Sequence, residues 1–160
     1  AMRASFDFPL ITLRLASVYG PGRSLDFFVP SIIKHCLEGV PFDMTAGEQV
    51  WDMVYIDDVV AAFKQAVSSN VSSGEVINIG SGEGCRIKDL ASMIVNLVGG
   101  DAYLNLGALA ESDGAIPHLV CDIAKAREIL AWTPLTKMEV GLASTIDWYR
   151  DNMERIPAKV

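Results

Sequence analysis

GEQVWDMVYIDDVV, residues 47–60, decides how this chain is read. The stretch predicts a loop, then a short strand at Met53-Val54-Tyr55-Ile56, then a helix opened by Asp57 and Asp58. Carboxylates at a helix start accept its free N–H groups and face the positive end of its dipole, so the pair is expected to cap the helix. Val59, Val60, Phe63, Ala66 and Val67 follow at helical spacing as its apolar face. Asp52, Asp57 and Asp58 together are a candidate carboxylate cluster for acid–base or metal chemistry. Capping accounts for two of the three without catalysis.

On the N-terminal side, residues 10–17, LITLRLAS, form an apolar, β-branched run bounded by Pro9 and by Gly20-Pro21-Gly22. This predicts a strand buried on both faces, as in a parallel sheet. Arg14 within it is expected to pair with a carboxylate from a neighbouring element, since a buried guanidinium needs a partner; direct contact with substrate is the alternative. Gly-Pro-Gly makes residues 18–23 a loop. A helix is then expected over residues 26–38, with Pro30 in its first turn and Gly39 as its stop.

On the C-terminal side, residues 68–74, SSNVSSG, read as a surface loop. A strand is expected over 76–80, and residues 81–84 are expected to turn it into a helix over 87–98. That helix has Ile87, Leu90, Ile94 and Leu97 as its core face and Gly99-Gly100 as its stop. A further strand at 102–106, a helix capped by Asp122 and running through Leu130, and a last helix lined by Leu142, Ile146, Tyr149 and Met153 complete the chain. Strands alternating with helices make the fold class α/β.

Composition narrows the function classes. The 160 residues are enough for one domain with a real core, and 51% apolar residues with a mean hydropathy of +0.30 lie slightly above the usual globular value. Thirteen basic against twenty acidic side chains give a net charge of -7 with no basic stripe, which excludes nucleic acid as a partner. Cys36, Cys85 and Cys121 are widely spaced, with only His35 and His118 as companions, so three free thiols and no metal site are expected. Neither a run of transmembrane length nor a signal-peptide pattern is present, so no membrane partner and a cytoplasmic location are expected.

Two motifs are set aside. Gly80-Ser81-Gly82-Glu83-Gly84 invites a phosphate-loop reading, but its glycines have neither the dinucleotide-binding phase nor the Lys of a nucleotide-binding loop, so a tight turn is expected. Tyr19 and Arg23 have the spacing of a Tyr-xxx-basic catalytic pair. That pair needs one helix face, which Gly-Pro-Gly between them forbids.

Taken in order, LRLASVYGPGR, a Val-Pro helix, GEQVWDMVYIDDVVAAF, GEVINIGSGEGCRIKDLASMI, CDIAKAREILAWTP and GLASTIDWYRDN resemble the C-terminal part of the NAD-dependent epimerase/dehydratase family over residues 10–152. These are extended short-chain dehydrogenases acting mainly on nucleotide sugars. The resemblance implies the C-terminal substrate-binding portion of such an enzyme, with one strand of the Rossmann sheet and a small mixed α/β subdomain. By the same resemblance residues 1–160 are expected to be a single substrate-binding domain or fragment, without the N-terminal Rossmann half that carries the family's Gly-rich loop and Tyr-xxx-Lys pair.

The resemblance further implies NAD or NADP in the intact protein, none binding firmly to this chain alone, and no catalytic residue within it. Partners are a sugar substrate and the chain's own N-terminal half. An uncovered strand also favours a homodimer. Ala16, Ser17 and Val18 fall at the cofactor, with Ser17 also at the substrate, where the family often has Asn. Phe28, Val29 and Pro30 fall at the nucleotide base, and Phe42 and Met44 on a second wall.

Trp51 stands where the family commonly has a diphosphate-gripping Arg, and Ser112 where it has a second one. Losing two such contacts removes roughly 1.5 to 3 kcal/mol each, unless Arg23, Lys88 or Arg86 substitutes, and Trp51 would instead stack on a sugar or base. A non-catalytic sugar- or metabolite-binding or regulatory module of the same fold is the alternative function.

Overall fold

The computed structural model describes residues 10–69, 74–99 and 102–155. In chain order the elements are β1 (Thr12–Leu15), β2 (Ser17–Tyr19), α1 (Phe28–Glu38), β3 (Phe42–Met44), β4 (Val50–Tyr55), α2 (Ile56–Ser68), β5 (Val76–Ile79), β6 (Gly84–Arg86), α3 (Ile87–Val98), β7 (Leu104–Leu106), β8 (His118–Leu119), α4 (Ala124–Leu130) and α5 (Met138–Asn152), with a 3-10 turn at Met153–Arg155. The α/β class is as expected.

β4 is the centre of the fold. Its C-terminal half runs parallel to β2, with Met53 opposite Ser17 and Tyr55 opposite Tyr19. Its N-terminal half is flanked by β6, antiparallel, and β8, parallel. Side chains alternate across a strand, so Met53 and Tyr55 enter one apolar core with α1, α3 and α5, while Val54 enters a second with α2, α4 and β5. Helix α5 approaches closely at Gly141, where an added Cβ would lie 2.4 Å from the Tyr19 hydroxyl and 2.9 Å from the Tyr55 ring.

Several expectations need correction. The run 10–17 is not one strand buried on both faces: it divides at Ala16, β1 pairing with β5 and β2 with β4. Leu10 and Leu15 are exposed, and so is Arg14, which is therefore not a buried guanidinium held by a carboxylate. The central strand begins at Val50, three residues before the expected start. In α2 the buried stripe is Val59, Ala62 and Ala66, whereas Val60, Phe63 and Val67 face outward. In α3, Leu97 is exposed and Ala91 takes its place in the core. Residues 81–84 do not lead straight into α3, because β6 intervenes to pair with β4.

The carboxylates of the opening stretch have other partners than those expected. No side chain caps α2. Asp57 is exposed, and Asp58 is buried and accepts from the backbone N–H groups of Leu135 (3.0 Å) and Thr136 (3.1 Å), tying down the segment before α5. Asp122 does accept from the Ala124 N–H at the start of α4 (2.9 Å). Pro30 occupies the first turn of α1, and Gly39 ends it with φ 68°. Residues 70–73 of the expected 68–74 loop, and Gly100, lie outside the described residues.

Candidate functional site

The β2–β4 pair presents Ser17, Trp51 and Met53 on one face, because Met53 lies opposite Ser17 and Trp51 is two residues before it. The first turn of α1 brings Phe28, Val29 and Pro30 over that face, and Ile87 closes the far side. Val18, Arg23 and Phe27 complete the lining of this pocket. Four stretches distant in sequence thus converge on one mostly apolar cleft.

Of the residues singled out from sequence, Ser17, Val18, Phe28, Val29, Pro30 and Trp51 line this pocket together. Phe42 stands behind it, its ring edge-on to Phe28 at 5.8 Å, and Met44 is buried in the core beneath. Ala16 sits at the break between β1 and β2, donating its N–H to the Ile79 carbonyl (2.8 Å), and does not line the pocket. Ser112 lies apart, in a depression with Glu48, Glu111 and Asp113. Trp51 links the two places, its indole N–H donating to the Ile116 carbonyl (3.1 Å).

Phe27, Met53 and Ile87 were not anticipated. Met53 was legible from the two-residue period that places it beside Trp51. Ile87 was not, because its position depends on β6.

Arg23 is held on three sides. Its guanidinium lies 3.7 Å from the centre of the Phe27 ring, its Nη1 donates to the Val18 carbonyl, and its own carbonyl accepts from the Tyr149 hydroxyl. Partial burial pulls its pKa below the ordinary value. The other cations that might meet a diphosphate lie elsewhere: Lys88 pairs with Glu48 at 2.5 Å, and Arg86 is exposed on β6.

Asp52 explains why the Gly80–Gly84 turn is no phosphate loop. Its carboxylate, 1% exposed, accepts from the Ser81 N–H (2.6 Å) and hydroxyl (2.7 Å), the Gly82 N–H (3.1 Å) and the Cys121 N–H (3.2 Å). The anion held by those amides is the protein's own. Asp52, Asp57 and Asp58 therefore serve separate places and form no cluster, and no group of His, Cys, Asp or Glu among the described residues is arranged to hold a metal. The cysteines are free thiols, Cys36 buried and the others partly so. Tyr19 is buried in β2, its hydroxyl directed at the Met138 carbonyl (3.4 Å) and its pKa raised by burial and by Asp58.

The NAD dependent epimerase/dehydratase family matches residues 1–80. The chain belongs to this family. An uncharacterised UDP-glucose epimerase from Bacillus subtilis is 30% identical over 145 residues, which take in 90% of this chain and 45% of that protein. A dTDP-glucose 4,6-dehydratase from Salmonella typhimurium is 27% identical over 161 residues, 96% of this chain and 44% of that protein. The crystal structure of a UDP-glucuronic acid 4-epimerase from Bacillus cereus, in complex with UDP-glucuronic acid and NAD, superimposes with a TM-score of 0.86 at 32% identity, over 93% of this chain and 48% of that one. This family member thus spans less than half the length of these relatives. No helix among the described residues is long and apolar enough to cross a membrane.

Proposed function

We propose that this chain is the substrate-binding part of an NAD(P)-dependent nucleotide-sugar epimerase or dehydratase, and that it is not catalytic alone. The observation that carries the reading is the convergence of Ser17, Phe28, Val29, Pro30 and Trp51 on one cleft over the β2–β4 pair. The cleft has the character of a small-molecule site: apolar and aromatic walls, with the Ser17 hydroxyl and Arg23 as its polar and charged side chains. The relatives, which act on or bind UDP- and dTDP-sugars, supply the substrate class.

The residues of this chain bind and orient. Phe28 and Trp51 offer ring faces to a base or sugar, Val29 and Pro30 exclude water from one side, and Ser17 offers a hydroxyl to a ligand oxygen. A dinucleotide does not fit the described residues by themselves, because the Gly-rich turn at Gly80–Gly82 is filled by Asp52. No hydride-transfer step is assigned to this chain. In the intact enzyme the cofactor supplies that chemistry, with Ala16, Ser17 and Val18 beside it.

The exposed side chains of Thr12, Arg14 and Val76, which share one face of the β1–β5 pair, mark the face we assign to the protein's own N-terminal half. A second copy of the chain is the other occupant such an exposed sheet face would accept. The relatives' greater length favours the first.

Calorimetric titration of the chain with UDP-glucose, UDP-glucuronic acid and dTDP-glucose tests the reading. Saturable one-to-one binding to at least one of them is expected. Binding to none of the three at millimolar ligand would refute it.

A further inference from the structure

Among the lining residues of the β2–β4 cleft, Arg23 alone carries a charge. Its environment is unusual for a guanidinium. The four ion pairs among the described residues use Lys34, Lys88, Lys125 and Arg150, and none uses Arg23. Asp26, three residues on, instead accepts from the Ser24 hydroxyl (3.1 Å). One of the five guanidinium N–H donors is taken by the Val18 carbonyl and one ring face by Phe27, and Tyr149 anchors the backbone.

A half-desolvated cation with no anionic partner carries a free-energy cost that an incoming anion relieves. Because the head group is already clamped, little conformational entropy remains to be lost when that anion binds. The neighbouring Phe28 and Trp51 define what else the ligand carries, namely a flat or ring-shaped group.

We infer that Arg23 is the anion-recognising residue of this pocket, taking a phosphate oxygen of a nucleoside diphosphate-type ligand through its free N–H donors. The inference rests on the reading of the cleft as a nucleotide-sugar site. It replaces guanidinium contacts at Trp51 and Ser112 by a cation from a different loop. Ser112 is poorly placed for the task, since Glu48, Glu111 and Asp113 share its depression and oppose a dianion.

The test compares UDP, uridine and inorganic pyrophosphate by calorimetry on the chain, on Arg23→Gln and on Arg23→Lys, with thermal unfolding to establish that the variants fold. In the unaltered chain UDP is expected to bind more tightly than uridine by roughly tenfold to a hundredfold, the size of one or two charge-assisted hydrogen bonds. Arg23→Gln should erase that difference and leave uridine affinity unchanged. Arg23→Lys, which keeps the charge but loses the planar fork, should retain part of it.

A UDP preference that survives in Arg23→Gln overturns the inference, as does a chain that binds neither UDP nor pyrophosphate. Should Arg23→Gln fail to fold, a folded Arg23→Lys with undiminished UDP preference would overturn it equally, and a diminished one would support it. Pyrophosphate binding that depends on Arg23, without any affinity for UDP or uridine, supports the role of Arg23 and refutes the nucleotide-sugar reading of the cleft.

Discussion

Asp52 carries more of this fold than its place between Trp51 and Met53 suggests. It collects four hydrogen bonds from two segments far away in sequence, the Ser81–Gly82 turn and Cys121, and so fixes how β5 and the approach to α4 sit against β4. Truncation to Ala would leave the partly buried N–H groups of Ser81, Gly82 and Cys121 without this acceptor. Asp52→Ala is expected to cost about 1.5 to 3 kcal/mol, the range for hydrogen bonds to a charged group, because its donors are neutral and partly within reach of water. Urea unfolding followed by far-UV circular dichroism measures this, and a loss below about 1 kcal/mol, the worth of one ordinary hydrogen bond, would show that water replaces the carboxylate. The tight packing has a second witness in Gly80, where an added Cβ would stand 2.4 Å from Asp52 Oδ2.

At the scale of elements, α5 is pinned to the loop that forms the pocket by the bond from the Tyr149 hydroxyl to the Arg23 carbonyl. Burial, partly offset by Arg23, pushes the Tyr149 phenol up to about 12 from its ordinary 10.0. Between those two values the unfolded chain has released a proton that the folded chain still holds. The stability from this group is therefore fully present below pH 10 and falls as pH rises towards about 12. Tyr149→Phe should start somewhat less stable, for want of its hydrogen bond, and lose stability less steeply over that window. Stabilities measured at about pH 9, 10 and 11 should run parallel below pH 10 and converge between the two proteins above it. Parallel slopes throughout would place the proton elsewhere, Tyr19 and Tyr55 being the other buried phenols with raised pKa values.

The same scale shows what was legible in sequence. The long helices and the apolar strands 12–15 and 76–79 announce themselves by period and by their glycine stops. The three-residue strands β3 and β6 and the two-residue β8 do not, because each exists only by pairing with a partner distant in sequence. Asp57 and Asp58 look identical at a helix start, yet one is exposed and the other holds a loop 77 residues on. Sequence places a carboxylate near free N–H groups but does not say whose. The pocket was legible where family order supplied it, at Ser17, Phe28 to Pro30 and Trp51. It was illegible at Ile87, which only β6 carries into place.

For the molecule as a whole, two apolar cores lie on opposite faces of β4, and the β1–β5 pair buries Ile77 and Ile79 in one of them while its other face stays exposed. In the function proposed above, the cleft takes the sugar nucleotide and the exposed face of the β1–β5 pair takes the remainder of the enzyme. A second opening, lined by Ser81, Cys85, Lys137 and Glu139, shares Met53 with the cleft and offers a rival position for a ligand.

Amide hydrogen exchange of the chain with and without saturating UDP-glucose separates the two. The account predicts added protection concentrated at Ser17 and Val18, at residues 27–31 of the α1 start, and at residues 51–53. Protection confined to residues 81–86 and 135–139, with the β2–β4 cleft unchanged, would contradict it.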